Sequence, residues 1–110
     1  MHELSIAEAI VEMVSARTGG RPVDAVRIRV GRLAGVVTES LEFCFALAAT
    51  GTPLDGATLE IEQPPGAAHC RSCGQDWELA DLILLCPCGS ADVEVTAGRE
   101  LDVATVRVEG

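Results

Sequence analysis

The chain has no lysine and no tyrosine, and its only aromatic residues are Phe43, Phe45 and Trp77. Eight arginines stand against seventeen acidic residues, so the net charge is −9. A chain this acidic and this poor in aromatics lacks both means of holding nucleic acid, phosphate neutralisation and base stacking. Its histidines are His2 and His69 alone, and it carries no Gly-rich phosphate loop and no supported Ser/His/Asp layout. Few reactive groups are left for catalysis, and a non-enzymatic role is expected. No apolar run is long enough to span a bilayer, and no basic-then-apolar leader opens the chain. A cytoplasmic protein with no membrane partner is the expectation.

What the chain does have is cysteine in an ordered layout. Cys70-Arg71-Ser72-Cys73-Gly74 and Cys86-Pro87-Cys88-Gly89-Ser90 form two close pairs, twelve residues apart, each followed by glycine. Two such turns facing each other give Zn²⁺ four thiolates in a tetrahedron, the layout of a zinc ribbon. The rival readings are a redox dithiol and two disulfides. A thioredoxin-like pair follows a strand and opens a helix, whereas Cys70 follows a Pro-Gly loop. Disulfides need an oxidising compartment. The predicted ligands are Cys70, Cys73, Cys86 and Cys88, and His69 is read as a flanking surface histidine. The second pair is one residue tighter than usual.

At 110 residues and 48% apolar, the chain suits one domain, or a small domain with a smaller insert. Ser5 and Glu8 read as a capping box that starts the first helix near Ser5 or Ile6. Ile6, Ile10, Met13 and Val14 form its apolar stripe, and Gly19-Gly20 and Pro22 end it. A helix so close to Met1 holds the first three residues near a folded surface. Residues 25–32 alternate as a strand. Thr38 reads as the N-cap of a second helix, which buries Leu41, Cys44, Phe45 and Ala48. Cys44 is then a small core residue, neither nucleophile nor fifth ligand.

Residues 57–63 read as another strand, placing Glu60 and Glu62 opposite Arg27 and Arg29 if the two strands are neighbours. Pro64-Pro65-Gly66 is a stiff boundary. Between the cysteine pairs, Trp77, Leu79 and Leu82 to Leu85 are expected to form a hairpin with a little core against the metal, and Val93 and Val95 to return along it. In 101–108 the apolar parity shifts between Val103 and Val106, which predicts a bulge. That segment is too weak to stand alone and should rejoin the sheet built before Pro64. The cysteine unit, 65–96, is then an insert in an α/β domain formed by 1–64 and 97–110.

His2 is set apart by its position. The Met1 amine, the His2 amide nitrogen and an imidazole nitrogen can close two chelate rings on one metal, in a plane that suits Ni(II) or Cu(II). Alone, a histidine at position two is weak evidence, and a solvated side chain explains it as well. The wider pattern changes the weighting. Met1-His2-Glu3-Leu4-Ser5, Val30-Gly31, Ser40-Leu41-Glu42-Phe43-Cys44-Phe45, Gly56-Ala57-Thr58-Leu59, the two cysteine pairs and Gly98-Arg99-Glu100-Leu101 together resemble, in collinear order, the HypA/HybF family.

This resemblance implies an α+β fold, a small three-stranded mixed sheet with two helices, interrupted by an inserted four-cysteine zinc-ribbon domain. It implies a nickel metallochaperone that binds Ni(II) as cargo through Met1, His2 and Glu3 and keeps structural Zn(II) on Cys70, Cys73, Cys86 and Cys88. The implied partners are a maturation GTPase of the HypB type and the [NiFe]-hydrogenase large-subunit precursor, with the chain a monomer or weak homodimer. The family pattern in the second pair is usually Cys-Pro-x-Cys, so here one residue is missing. Two other classes stay open at this point: a zinc-ribbon adaptor with no second metal, and a thiol oxidoreductase using Cys70 and Cys73.

Overall fold

A computed structural model describes residues 2–109. The elements run α1 (Glu3–Arg17), β1 (Val23–Val30), α2 (Thr38–Ala49), β2 (Thr58–Glu62), β3 (Gly66–Cys70), β4 (Asp76–Leu79), β5 (Val93–Ala97) and β6 (Leu101–Val108). They build two three-stranded sheets, ordered β2-β1-β6 and β4-β3-β5. The radius of gyration is 17.2 Å, where a single compact body of this length has about 13 Å. The two sheets lie end to end.

The first helix starts at Glu3, earlier than the Ser5–Glu8 capping box predicts. Its N-cap is His2, in extended conformation, with no side-chain cap bond. The His2 carbonyl accepts from the Ile6 N–H at 3.2 Å. Glu3 and Leu4 are good helix formers, and the Glu3 carboxylate meets the positive end of the helix dipole, so the helix extends past Ser5. The buried line is also rotated from the predicted one. Ala7, Ile10, Val11 and Val14 face the core, while Met13 is 42% exposed. Ala7 is fully buried in the cluster that α1 shares with α2 and β1, where close packing leaves no room for a larger side chain. On α2, which begins at Thr38 with Val37 as its N-cap, Leu41, Phe45 and Ala49 are buried. Cys44 and Ala48 pack against that core, as expected.

β1 is the central strand: Val23, Val26, Ile28 and Val30 join the helix-side core, while the buried Ala25 lies on the opposite face with Arg27. Val23, Ala25, Val26, Ile28 and Val30 are buried, and Asp24, Arg27 and Arg29 are exposed. It pairs parallel with β2, from Ala25↔Thr58 to Arg29↔Glu62, and antiparallel with β6. The β6 register shifts between Arg27 and Ile28, opposite Thr105 and Val103, leaving Ala104 as the extra residue of a bulge. This is the parity break read in the sequence. Arg27 pairs with Glu60 at 3.7 Å. Arg29 does not take Glu62; it forks onto Asp102 of β6, at 2.9 and 3.0 Å. Both carboxylates lie opposite Arg29 in register, and the pair that forms is the two-bonded one with Asp102, the stronger geometry.

The junction between the sheets is a knot of backbone. Gly31 N–H donates to Glu100 O at 2.8 Å, Arg32 N–H to Pro64 O at 3.0 Å, and Leu33 N–H to Gly98 O at 2.7 Å. Glu100 Oε1 accepts from the Gly98 N–H at 2.7 Å. A Cβ at Gly31 would lie 2.1 Å from Gly98 O, and one at Gly66 would lie 2.6 Å from Leu33 Cδ1. The Pro64-Pro65-Gly66 stretch is therefore gripped by the loop after β1, and Gly66 is already strand.

The second sheet has almost no apolar core. Its buried side chains, apart from cysteine, are Ala68 and Leu79. Of the core expected between the cysteine pairs only Leu79 is buried: Leu82, Ile83, Leu84 and Leu85 are 59%, 68%, 37% and 53% exposed. The segment that carries them has no strand partner to fold them against, because β4 ends at Leu79. β5 returns antiparallel along β3, as Val93 and Val95 predict.

Candidate metal centre

The four paired cysteines converge at one end of the second sheet. Cys70 closes β3, and the chain turns through Arg71 to Gly74 before β4. Gly74 and Gly89 adopt φ of +78° and +94°, a region closed to most side chains, and each closes a turn behind its cysteine pair. Gly74 N–H donates to Cys70 O, and Gly89 N–H to Cys86 O, both at 2.8 Å. Within each turn an amide is aimed at sulfur: Cys73 N–H at Cys70 Sγ, 3.5 Å, and Cys88 N–H at Cys86 Sγ, 3.4 Å. These bonds stabilise thiolate over thiol.

The Sγ atoms of Cys70, Cys73, Cys86 and Cys88 all lie within 4.8 Å of one another. The cross-turn separations are 3.8 Å for Cys70–Cys88 and 3.6 Å for Cys73–Cys86. Four sulfurs about 2.3 Å from a central zinc lie about 3.8 Å apart, so this donor set fits a tetrahedral ion. No two of these sulfurs are bonded to each other, and their separations are those of ligands around one ion. Both cysteines of the tight Cys86-Pro87-Cys88 turn thus come within ligand spacing of a cysteine of the longer turn. Cys70 and Cys86 are buried, and Cys73 and Cys88 face outward. Without metal, the Cys73 amide N–H draws the Cys70 thiol down to about 6, while burial pushes the Cys86 thiol up to about 12. Metal capture must therefore ionise Cys86.

His69 turns away from the sulfurs. Its Nδ1 contacts Asp76 Oδ1 at 2.7 Å, and it is not part of the cluster. Cys44 packs in the other unit. His2 is exposed at the start of α1, and Glu3, half-buried, is its first residue. Met1, the third predicted nickel donor, lies outside the described residues. The structure thus gathers the four cysteines, and places His2 and Glu3 next to each other on a different element.

One network was not visible in the spacing of the cysteines. Ser72 Oγ and Ser90 Oγ are 2.9 Å apart, and Arg71 forks onto Asp92 and Glu94 at 3.0 and 3.1 Å. The only sequence signal was the placing of a serine in or just after each turn.

A mixed three-stranded sheet carrying two helices, continued by a small sheet that ends in four converging thiols, defines an α+β metal-binding protein. No helix among the described residues is long and apolar enough to cross a membrane. Residues 1–108 match the family model described as hydrogenase/urease nickel incorporation, metallochaperone, hypA, and the chain belongs to this family. It is 45% identical over 115 residues to the hydrogenase maturation factor HypA of Streptomyces avermitilis, covering 99% of this chain and 88% of that protein. It is 42% identical over 110 residues to the HypA of Geobacter metallireducens, covering 99% of this chain and 100% of that one. The solution structure of the Ni metallochaperone HypA from Helicobacter pylori superposes with a TM-score of 0.68 at 19% identity, covering 98% and 97% of the two chains. At that identity the likeness is one of fold.

Proposed function

We propose that this protein is a non-enzymatic, cytoplasmic nickel metallochaperone that binds Ni(II) at Met1, His2 and Glu3. It delivers the ion to a [NiFe]-hydrogenase large-subunit precursor, with a HypB-type GTPase as partner. Residues 1–64 and 97–110 form the nickel-binding domain, and 65–96 the zinc domain. The observation that carries this reading is the exposed His2 placed as N-cap of α1, in a chain of the nickel-incorporation family. A planar Ni(II) complex at the N-terminus needs an ionised amide nitrogen. Here that negative charge falls at the positive end of a fifteen-residue helix, which favours it by about 0.3–1 kcal/mol. Glu3 supplies a further donor through its amide or carboxylate.

Zn(II) is assigned to Cys70, Cys73, Cys86 and Cys88 as a structural ion, with the fitted distances and the missing apolar core as support. When bound, it crosslinks the two turns, and four thiolates leave no position for substrate. The exposed Leu82 to Leu85 favour a second reading, in which the chain is a zinc-ribbon adaptor that docks another protein and carries no nickel.

The experiment is a nickel titration of untagged wild type, His2→Ala and a chain extended by Gly-Ser ahead of Met1. His2 holds the helix only through its carbonyl, which alanine keeps, so the far-UV signal should be unchanged. Wild type should bind one Ni(II), and both variants should lose stoichiometric binding while keeping zinc. Equal binding by all three would remove the N-terminal site, and no binding by wild type would leave the adaptor.

A further inference from the structure

The two cysteine turns are unequal. The first has two residues between its ligands, and the second has only Pro87, which has no N–H to donate. Each turn keeps one amide-to-sulfur bond and one glycine-to-carbonyl bond, and a set of polar contacts outside them joins the two turns from one side.

Ser90 is the centre of that arrangement. Its carbonyl accepts from Cys86 N–H at 2.9 Å. Its Oγ accepts from Asp92 N–H at 3.1 Å and pairs with Ser72 Oγ at 2.9 Å. A hydroxyl has two lone pairs and one proton, so both contacts are satisfied at once. Ser72 lies inside the Cys70–Cys73 turn, and Ser90 follows the Cys86–Cys88 turn by two residues, so the bond crosses from one ligand turn to the other.

Beside it, the β3–β5 ladder, which ends at Cys70↔Val93, is prolonged by Arg71 N–H donating to Asp92 O at 2.9 Å. The Arg71 guanidinium closes the same side by binding Asp92 and Glu94. Exposed ion pairs contribute little singly. The Ser72–Ser90 pair, the Arg71 amide and the Arg71 guanidinium, however, all join the same two short segments, 71–72 and 90–94, which lie within or directly after the two cysteine turns.

We infer that Ser72 and Ser90, braced by Arg71, are positioning residues of the four-thiol centre: they strap the short second turn against the first at ligand distance. The inference rests on the zinc assignment above. Groups that orient metal ligands without touching the metal change affinity by roughly 10–100-fold when removed. Ser90 has two roles for its hydroxyl and Ser72 one, so Ser90→Ala should cost more than Ser72→Ala.

The test uses the full chain, loaded with zinc and titrated with a chromophoric chelator, for wild type, Ser72→Ala, Ser90→Ala and Ser90→Thr. Ser90→Ala should weaken zinc binding by about 10–100-fold and speed its release. Ser90→Thr keeps the hydroxyl and should restore most of the affinity. Co(II) substitution gives a second readout. The tetrahedral thiolate bands of wild type should lose intensity or shift in Ser90→Ala and return in Ser90→Thr, with the far-UV helix signal constant throughout. Unchanged affinity and Co(II) spectrum in both alanine variants would overturn the inference, as would equal losses in Ser90→Ala and Ser90→Thr. Failure of wild type to hold one zinc would instead overturn the zinc assignment, and the strap with it.

Discussion

Withdrawing metal from the four-thiol centre should unfold one half of this protein and leave the other standing. The second sheet buries one leucine and one alanine besides its cysteines. Full burial of a leucine contributes roughly 1.5–3 kcal/mol, against an ordering cost of about 1–2 kcal/mol for each residue's backbone. Structural zinc contributes roughly 10–16 kcal/mol in small fingers at neutral pH, so the metal is the dominant stabilising term. The chain carries two reporters that separate the halves. Trp77, its only tryptophan, lies on β4 of the second sheet. Both helices, of fifteen and twelve residues, pack on the first sheet, where α1, α2 and β1 supply most of one buried cluster.

Cys86→Ala, or a strong chelator at neutral pH, should therefore expose Trp77 and shift its emission to the red. The helical signal at 222 nm should remain, and so should its thermal transition. A fall of both signals together would show that the junction makes the two sheets one cooperative unit and would refute the reasoning. So would an unchanged Trp77 spectrum in a metal-free chain, because the small core would then suffice.

Zinc uptake at pH 7 should release protons, since Cys70, down at about 6, is already thiolate while Cys86, up at about 12, is not. As pH falls through about 6 the Cys70 thiolate is lost too, so affinity should drop further; calorimetry in buffers of different ionisation enthalpy would detect this, and pH-independent uptake would contradict it. Gly31→Ala forces a Cβ against the Gly98 carbonyl and should destabilise the first sheet by about 1–3 kcal/mol in a urea titration followed at 222 nm. An unchanged midpoint would mean that the backbones at the junction do not approach as described. Arg29→Ala should lower that midpoint more than Arg27→Ala, because Arg29 grips Asp102 through two bonds while Arg27 holds Glu60 at 3.7 Å; added salt should narrow the gap.

What the sequence by itself determined about this protein are its features with short-range causes. A helix repeat and a strand repeat are set within a few residues, so α1, β1, α2 and β2 were legible from periodicity, and the Gly19-Gly20 stop from turn chemistry. The cysteine spacing singled out the four thiols that converge, because two turns of this kind bring their sulfurs together when they face each other. Even the bulge at Ala104 was legible, since it displaces the apolar parity on either side of it. Tertiary structure decided what depends on which strand lies beside which. Arg29 lies opposite both Glu62 and Asp102, and only the folded sheet decides that Asp102 takes the bidentate pair. Met13 was read into the core from its place on the helical repeat, but the face that packs is made of Ala7, Ile10, Val11 and Val14, and Met13 is left exposed. Leu82 to Leu85 form an apolar run that would suit a core, yet no strand lies opposite to cover them. The closing of 31–34 over Pro64 and Gly98, and of Ser72 over Ser90, joins residues far apart in the chain. Contacts of that kind leave no local pattern, because the groups that make them meet only once the sheets have formed.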